Sequence, residues 1–140
     1  MKRRYSVWHT TLIWLVVIVV MGFFLRPNRA VQVQVDDEGL VLTGASGYTV
    51  NVRYDEIGGA EYLEDFDYGS PIDGTDDNQE KSGLWENSEL GRYRMCVNAK
   101  AAPCIVLTTD EGVLVINYES AKSTQSLYNA LLERIANNEQ

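Results

Sequence analysis

The chain has one histidine, His9, and two cysteines, Cys96 and Cys104, among its 140 residues. A Ser-His-Asp or Cys-His arrangement needs an imidazole near its nucleophile, and His9 sits inside an apolar run far from the rest of the chain. Two thiols make neither a disulfide framework nor a zinc site built of cysteines alone. No G-x-S-x-G, Walker A or G-x-G-x-x-G pattern occurs, and no internal repeat or low-complexity tract. Basic residues are also scarce after the N-terminus. From Ala30 onward there are 7 of them against 20 acidic residues, a net charge of −13. Phosphate backbones and anionic head groups repel such a surface, which argues against nucleic-acid binding. Neither a catalytic role nor a cofactor is expected.

What the chain does have is an apolar run, Val7 to Leu25, with no acidic or basic residue. A helix over that run reaches about 28 Å, close to the roughly 30 Å of a bilayer's hydrocarbon. Val7, Trp8, Leu12, Trp14, Val20 and Leu25 mark its length, with Tyr5 and Trp8 suited to an interfacial belt. The run is longer than a signal-peptide core, and Arg26-Pro27-Asn28-Arg29 after it is no small-x-small cleavage site. The run therefore reads as an uncleaved transmembrane anchor, contacting membrane lipid. Lys2, Arg3 and Arg4 before it outnumber Arg26 and Arg29 after it. The positive-inside rule then puts the N-terminus in the cytoplasm and the remainder outside, in a single-pass protein of the cell membrane. Residues 1–29 form the basic segment and anchor, and residues 30–140 one domain, since about 110 residues bury only one modest core.

That domain reads as mainly β with one C-terminal α-helix. Val31, Val33 and Val35 alternate with glutamines, as in a half-buried strand. Leu40–Thr43 and Tyr48–Arg53 follow as a meander joined by the turns Asp36-Asp37-Glu38-Gly39 and Gly44-Ala45-Ser46-Gly47. Tyr54–Ile57 is a helical turn, Ala60–Glu64 a short fourth strand, and Asp65–Leu90 a long loop clasped by Leu84 and Trp85. Arg92–Val97 and Cys104–Thr109 read as a hairpin, followed by a turn into Val113–Asn117. Leu127, Leu131 and Ile135 recur at helical spacing behind Ser120 or Ser123 as cap. About seven antiparallel strands and a helix suggest two packed sheets, or a partly open barrel, plugged at one end.

Val35-Asp36-Asp37-Glu38-Gly39-Leu40, Val52-Arg53-Tyr54-Asp55-Glu56-Ile57, Gly91-Arg92-Tyr93-Arg94, Val106 to Gly112 and Val115-Ile116-Asn117 share their order and spacing with a known pattern. Over Val31 to Ile135 the chain resembles the bacterial PH-like (pleckstrin-homology-like) domains of small membrane-anchored proteins of unknown function. The resemblance implies a helix-capped β module without catalysis. Phosphoinositide-binding PH domains carry lysine and arginine in the first hairpin. Here Asp36, Asp37 and Glu38 stand there, so phosphoinositide binding is not expected.

Three constellations remain. Cys96 and Cys104, on two arms of the expected hairpin, either face each other as a disulfide or pack as small buried thiols. Phe66 and Tyr68, with Trp85, either form an exposed partner-binding loop or clasp the core. Asp73, Asp76 and Asp77 offer oxygen ligands for weak Ca²⁺ binding, though without EF-hand spacing, and a solvated acidic loop is the plainer reading. The function expected is a membrane-anchored binding or scaffolding module with a membrane or membrane-proximal protein partner. The alternatives are an accessory structural subunit of a membrane complex and an exported sensor domain.

Overall fold

The computed structural model describes residues 13–19, 21 and 31–140. Period-2 patterning sets the first sheet. β1 (Val31–Val35), β2 (Gly39–Gly44) and β3 (Thr49–Arg53) form an antiparallel meander in the order β1-β2-β3. Their alternate residues Val31, Leu40, Leu42, Val50 and Val52 are buried on one face. Tyr54–Glu56 is a single 3₁₀ turn, as the sequence suggested, and Tyr54 plugs it into the core while its hydroxyl donates to the Asp36 carbonyl at 2.8 Å.

The second sheet is larger than expected. It contains β4 (Ile57–Leu63), β5 (Ser70–Asp76), β6 (Glu80–Asn87), β7 (Gly91–Asn98), β8 (Cys104–Thr109) and β9 (Gly112–Ile116), in the order β4-β8-β9-β7-β6-β5. The described residues thus hold nine strands rather than about seven. The segment 65–90, read as one loop, contains β5 and β6. Neither shows a hydrophobic alternation. β5 is exposed along almost its whole length, and the inward positions of β6 include Glu80 and Ser82. The strands are also not all antiparallel. β9 lies between β7 and β8 and pairs with β7 in parallel, so the expected Arg92–Thr109 hairpin does not form.

Both faces of the central strands of this sheet are covered, which explains the unbroken apolar runs in β8 and β9. Ile105, Leu107, Leu114 and Ile116 meet the first sheet and the C-terminal helix. Met95, Val97, Cys104, Val106 and Val115 point the other way, into a second cluster with Trp85 and Tyr93. The two sheets stack without closing into a barrel.

Helix α1 (Ala121–Asn138) starts at Ser120, whose Oγ accepts the Ser123 N–H at 3.2 Å. Ser123 Oγ accepts the Ser120 N–H in return at 2.9 Å, so both candidate caps take part. Leu127 and Leu131 are buried against the first core cluster and Ile135 is packed at its margin, the face that helical spacing assigned. The result is mainly β with one C-terminal helix, as expected.

Candidate functional site

The route of the chain between β4 and β5 sets much of the surface. These strands are opposite edges of the six-stranded sheet, yet only residues 64–69 join them. The connection bends at residues 64–65, turns again where the Gly69 N–H donates to Asp67 Oδ1 at 3.0 Å, and lies over the second core cluster as a strap.

The aromatic residues fasten this strap. Phe66 sits edge-on to Tyr68 and to Tyr93, with ring centres 5.5 and 5.7 Å apart. The Tyr93 hydroxyl donates to the Tyr68 carbonyl, and Asn87 Nδ2 donates to the Asp67 carbonyl at 2.8 Å. Gly69 turns the chain into β5 at φ +67°, and a Cβ there would lie 2.0 Å from the Glu86 carbonyl oxygen. Lys81 Nζ lies 5.2 Å from the Trp85 ring centre and 5.5 Å from that of Tyr68. Trp85 is 1% exposed, with its indole N–H donating to the Ser82 carbonyl at 3.0 Å. Phe66, Tyr68 and Trp85 do come together, but as a clasp on the core. Of the two alternatives the packing matches the clasp: Trp85 is buried in the second cluster and Phe66 and Tyr68 are half-buried against it.

The disulfide alternative is corrected. Both are free and buried, Cys96 in the first core cluster and Cys104 in the second, on opposite sides of the sheet. Intervening β9 removes the hairpin that would have opposed them. Burial pushes the Cys96 thiol up to about 12, with the Glu80 carboxylate adding to the rise. Burial pushes Cys104 up to about 11, against a smaller lowering by its hydrogen bond with Tyr68, 3.6 Å away. Both are protonated at neutral pH and poor nucleophiles. Burial also raises Tyr68 and Tyr93.

The acidic residues disperse. Asp73 and Asp76, three apart on β5, point to opposite faces. Asp76 pairs with Lys81. Asp77 Oδ1 accepts the Gln79 and Glu80 N–H groups at 2.8 and 2.7 Å, and these bonds hold its carboxyl below the usual range. No group of three or more His, Cys, Asp or Glu side chains placed to hold a metal occurs among the described residues. The Ca²⁺ alternative at Asp73, Asp76 and Asp77 is not supported by this geometry.

Two polar arrangements escaped the sequence because their partners are distant along the chain. Glu80, 1% exposed, accepts from the Ser46 N–H at 3.0 Å, from Ser46 Oγ at 2.7 Å and from Ser82 Oγ at 2.8 Å. It thereby ties the β2–β3 turn to β6. Asn98 Oδ1 accepts the Val31 N–H at 3.1 Å, and Asn117 holds the Asn98 N–H and carbonyl at 2.7 and 3.1 Å. This second cluster anchors the start of β1 to the end of β7.

One apolar surface feature also went unseen. A groove of about 510 Å³ lies between β1 and α1, lined by Val33, Val35, Tyr118, Ser123, Leu127 and Ala130 among others. Val35 is 42% exposed there.

Of the residues expected in the anchor, Val7, Trp8, Leu12, Val20 and Leu25 lie outside the described residues, as does His9. Trp14 is helical and 66% exposed. Among the described residues no helix is long and apolar enough to cross a membrane. Comparison with protein-family models, curated protein sequences and solved structures finds no match.

Proposed function

We propose that this chain is a single-pass, membrane-anchored PH-like module that binds or scaffolds a protein partner and carries out no chemistry itself. The observation carrying this reading is how the polar and reactive side chains are used. The thiols are buried and protonated, Glu80 is consumed by three structural hydrogen bonds, and the loop carboxylates serve turns and surface pairs. Surface, rather than a reactive centre, is what this domain offers. Two sheets with one C-terminal helix are the coarse features the PH-like resemblance implies, while the nine strands and the parallel β7–β9 pairing depart from its seven antiparallel strands. The uncharged run from Val7 to Leu25 supplies the anchor.

The test is photo-crosslinking of the full-length chain in native membranes, with the anchor left intact or exchanged for an unrelated transmembrane helix. Cross-linking that survives the exchange supports the module. Cross-linking that disappears with the exchange favours an accessory subunit held through its anchor. Absence of any specific cross-linked product from the intact chain refutes both. Removing the whole segment 64–89 is not a usable variant, because it takes out the strap, β5 and most of β6.

A further inference from the structure

The strand edges of this domain are not equally protected. β5 carries Pro71, a register irregularity between Pro71 and Asp73, and the acids Asp73 and Asp76. Proline, irregularity and charge are the ordinary guards against an added strand. β4 has an irregularity between Ile57 and Gly59, and α1 lies beside it with the Tyr128 hydroxyl on the Ala60 carbonyl at 3.5 Å. β1, with the sequence VQVQV, has no proline, no charge and no irregularity.

Hydrogen-bond parity shows which groups β1 presents. Gly44 donates to the Tyr48 carbonyl, so its backbone groups face β3. Val31, opposite Gly44, sends its N–H to Asn98 rather than to β2. In an antiparallel ladder the same direction recurs at every second residue. Val33 and Val35 therefore direct their N–H and C=O groups away from β2, and no strand receives them among the described residues. Their side chains line the groove against α1, beside Leu127 and Ala130.

At the end of β1 stand Asp36, Asp37 and Glu38, of which Asp37 is paired with Arg134 at 3.3 Å; Lys122 is the one cation on the groove wall, and the net charge from Ala30 onward is −13. Two such domains repel one another, while a basic segment is drawn in.

We infer that the free edge of β1 and the groove between β1 and α1 form a docking site for an extended segment of a protein partner. The segment adds antiparallel to β1, with apolar side chains at alternate positions and lysine or arginine at its leading end. Backbone bonds to Val33 and Val35 supply the pairing, and every second side chain enters the groove. The basic leading end meets Asp36 and Glu38, Asp37 being paired with Arg134. This assignment rests on the binding-module reading and names where, and by what chemistry, that module binds.

The test uses the full-length chain in detergent micelles and a labelled peptide, Lys-Arg-Lys followed by three Val-Thr repeats, read by fluorescence anisotropy. A second peptide has the same sequence with N-methyl groups on alternate backbone nitrogens. Two variants complete the set. Val33→Pro removes an edge donor that no ladder bond uses, a place where an edge strand tolerates proline. Ser126→Trp, at an exposed position of α1, fills the groove. Saturable binding of the plain peptide, weakened roughly tenfold or more by N-methylation and by each variant, is the expected result. Equal binding of both peptides, or binding untouched by both variants, overturns the edge and leaves only charge attraction. A dimer forming without peptide and lost in Val33→Pro overturns the partner segment in favour of a second copy. If the peptide fails to bind while membrane cross-linking persists in Val33→Pro, this site is wrong and the module stands. If intact wild-type chain cross-links to nothing, the module reading falls first.

Discussion

The contact between Gly44 and Glu80 gives the sharpest energetic test of the fold. Glu80 reaches across from β6 to the β2–β3 turn and accepts three hydrogen bonds while almost wholly buried. Truncation to alanine strands two Ser46 donors and one Ser82 donor. At about 1.5–3 kcal/mol for each bond to a charged group, reduced by water reaching the partly buried turn, Glu80→Ala should cost about 3–5 kcal/mol. Gly44 leaves room for that carboxylate, since a Cβ on it would lie 1.8 Å from Glu80 Oε1. Gly44→Ala must displace the carboxylate and should cost about 1–3 kcal/mol alone. Together the substitutions remove their own conflict, because the alanine methyl enters space that the carboxylate has vacated. The double variant should therefore be more stable than the sum of the singles by about 1–3 kcal/mol. Urea unfolding of the full-length chain in micelles measures this. Trp85, the domain's one tryptophan, reports through its buried indole. Strict additivity, within about 0.5 kcal/mol, would refute the placement of Glu80 against the turn.

The remaining predictions concern the thiols and the helix. Denatured, unreduced protein should titrate two free thiols, while the native chain at pH 8 reacts slowly with iodoacetamide; a thiol-free titre overturns the assignment of Cys96 and Cys104 to separate clusters. Both thiols ionise at higher pH folded than unfolded, so their contribution to stability is complete below about pH 9 and is lost above it. The loss should level off near pH 11 for Cys104 and near pH 12 for Cys96, and replacing both with alanine should flatten the pH 9–11 slope of unfolding curves. Ser120→Ala should cost about 1 kcal/mol through the lost cap, and Leu131→Ala about 2–5 kcal/mol through its core cavity, both readable by the same urea titration. A Leu131→Ala loss below 1 kcal/mol would contradict the packing of α1 on the sheets.

Local pattern made part of this fold legible. β1, β2 and β3 alternate with period 2 because one face of their sheet is buried. The 3₁₀ turn at Tyr54 and α1, with its Ser120 cap, were equally readable, because turns, caps and helical faces are written in neighbouring residues. β5 and β6 were not, because one is exposed on both faces and the other buries Glu80 and Ser82 at inward positions. Nor did the sequence reveal that β9 enters between β7 and β8. Strand order depends on which apolar runs match across the sheet, and β7, β8 and β9 are similar runs. That one substitution of neighbours separated Cys96 from Cys104. The groove at Val33 and Val35 was invisible for a related reason: half its wall comes from α1, about ninety residues further along.

Membrane anchorage is tested most directly by fractionating cells that express the untagged chain, washing the membranes with alkaline carbonate, and measuring the intact mass of the chain in each fraction. Retention in the washed membranes at the full mass of 15.8 kDa is the expected result. Recovery in the soluble fraction of a shorter chain, lacking roughly its first thirty residues, would contradict it.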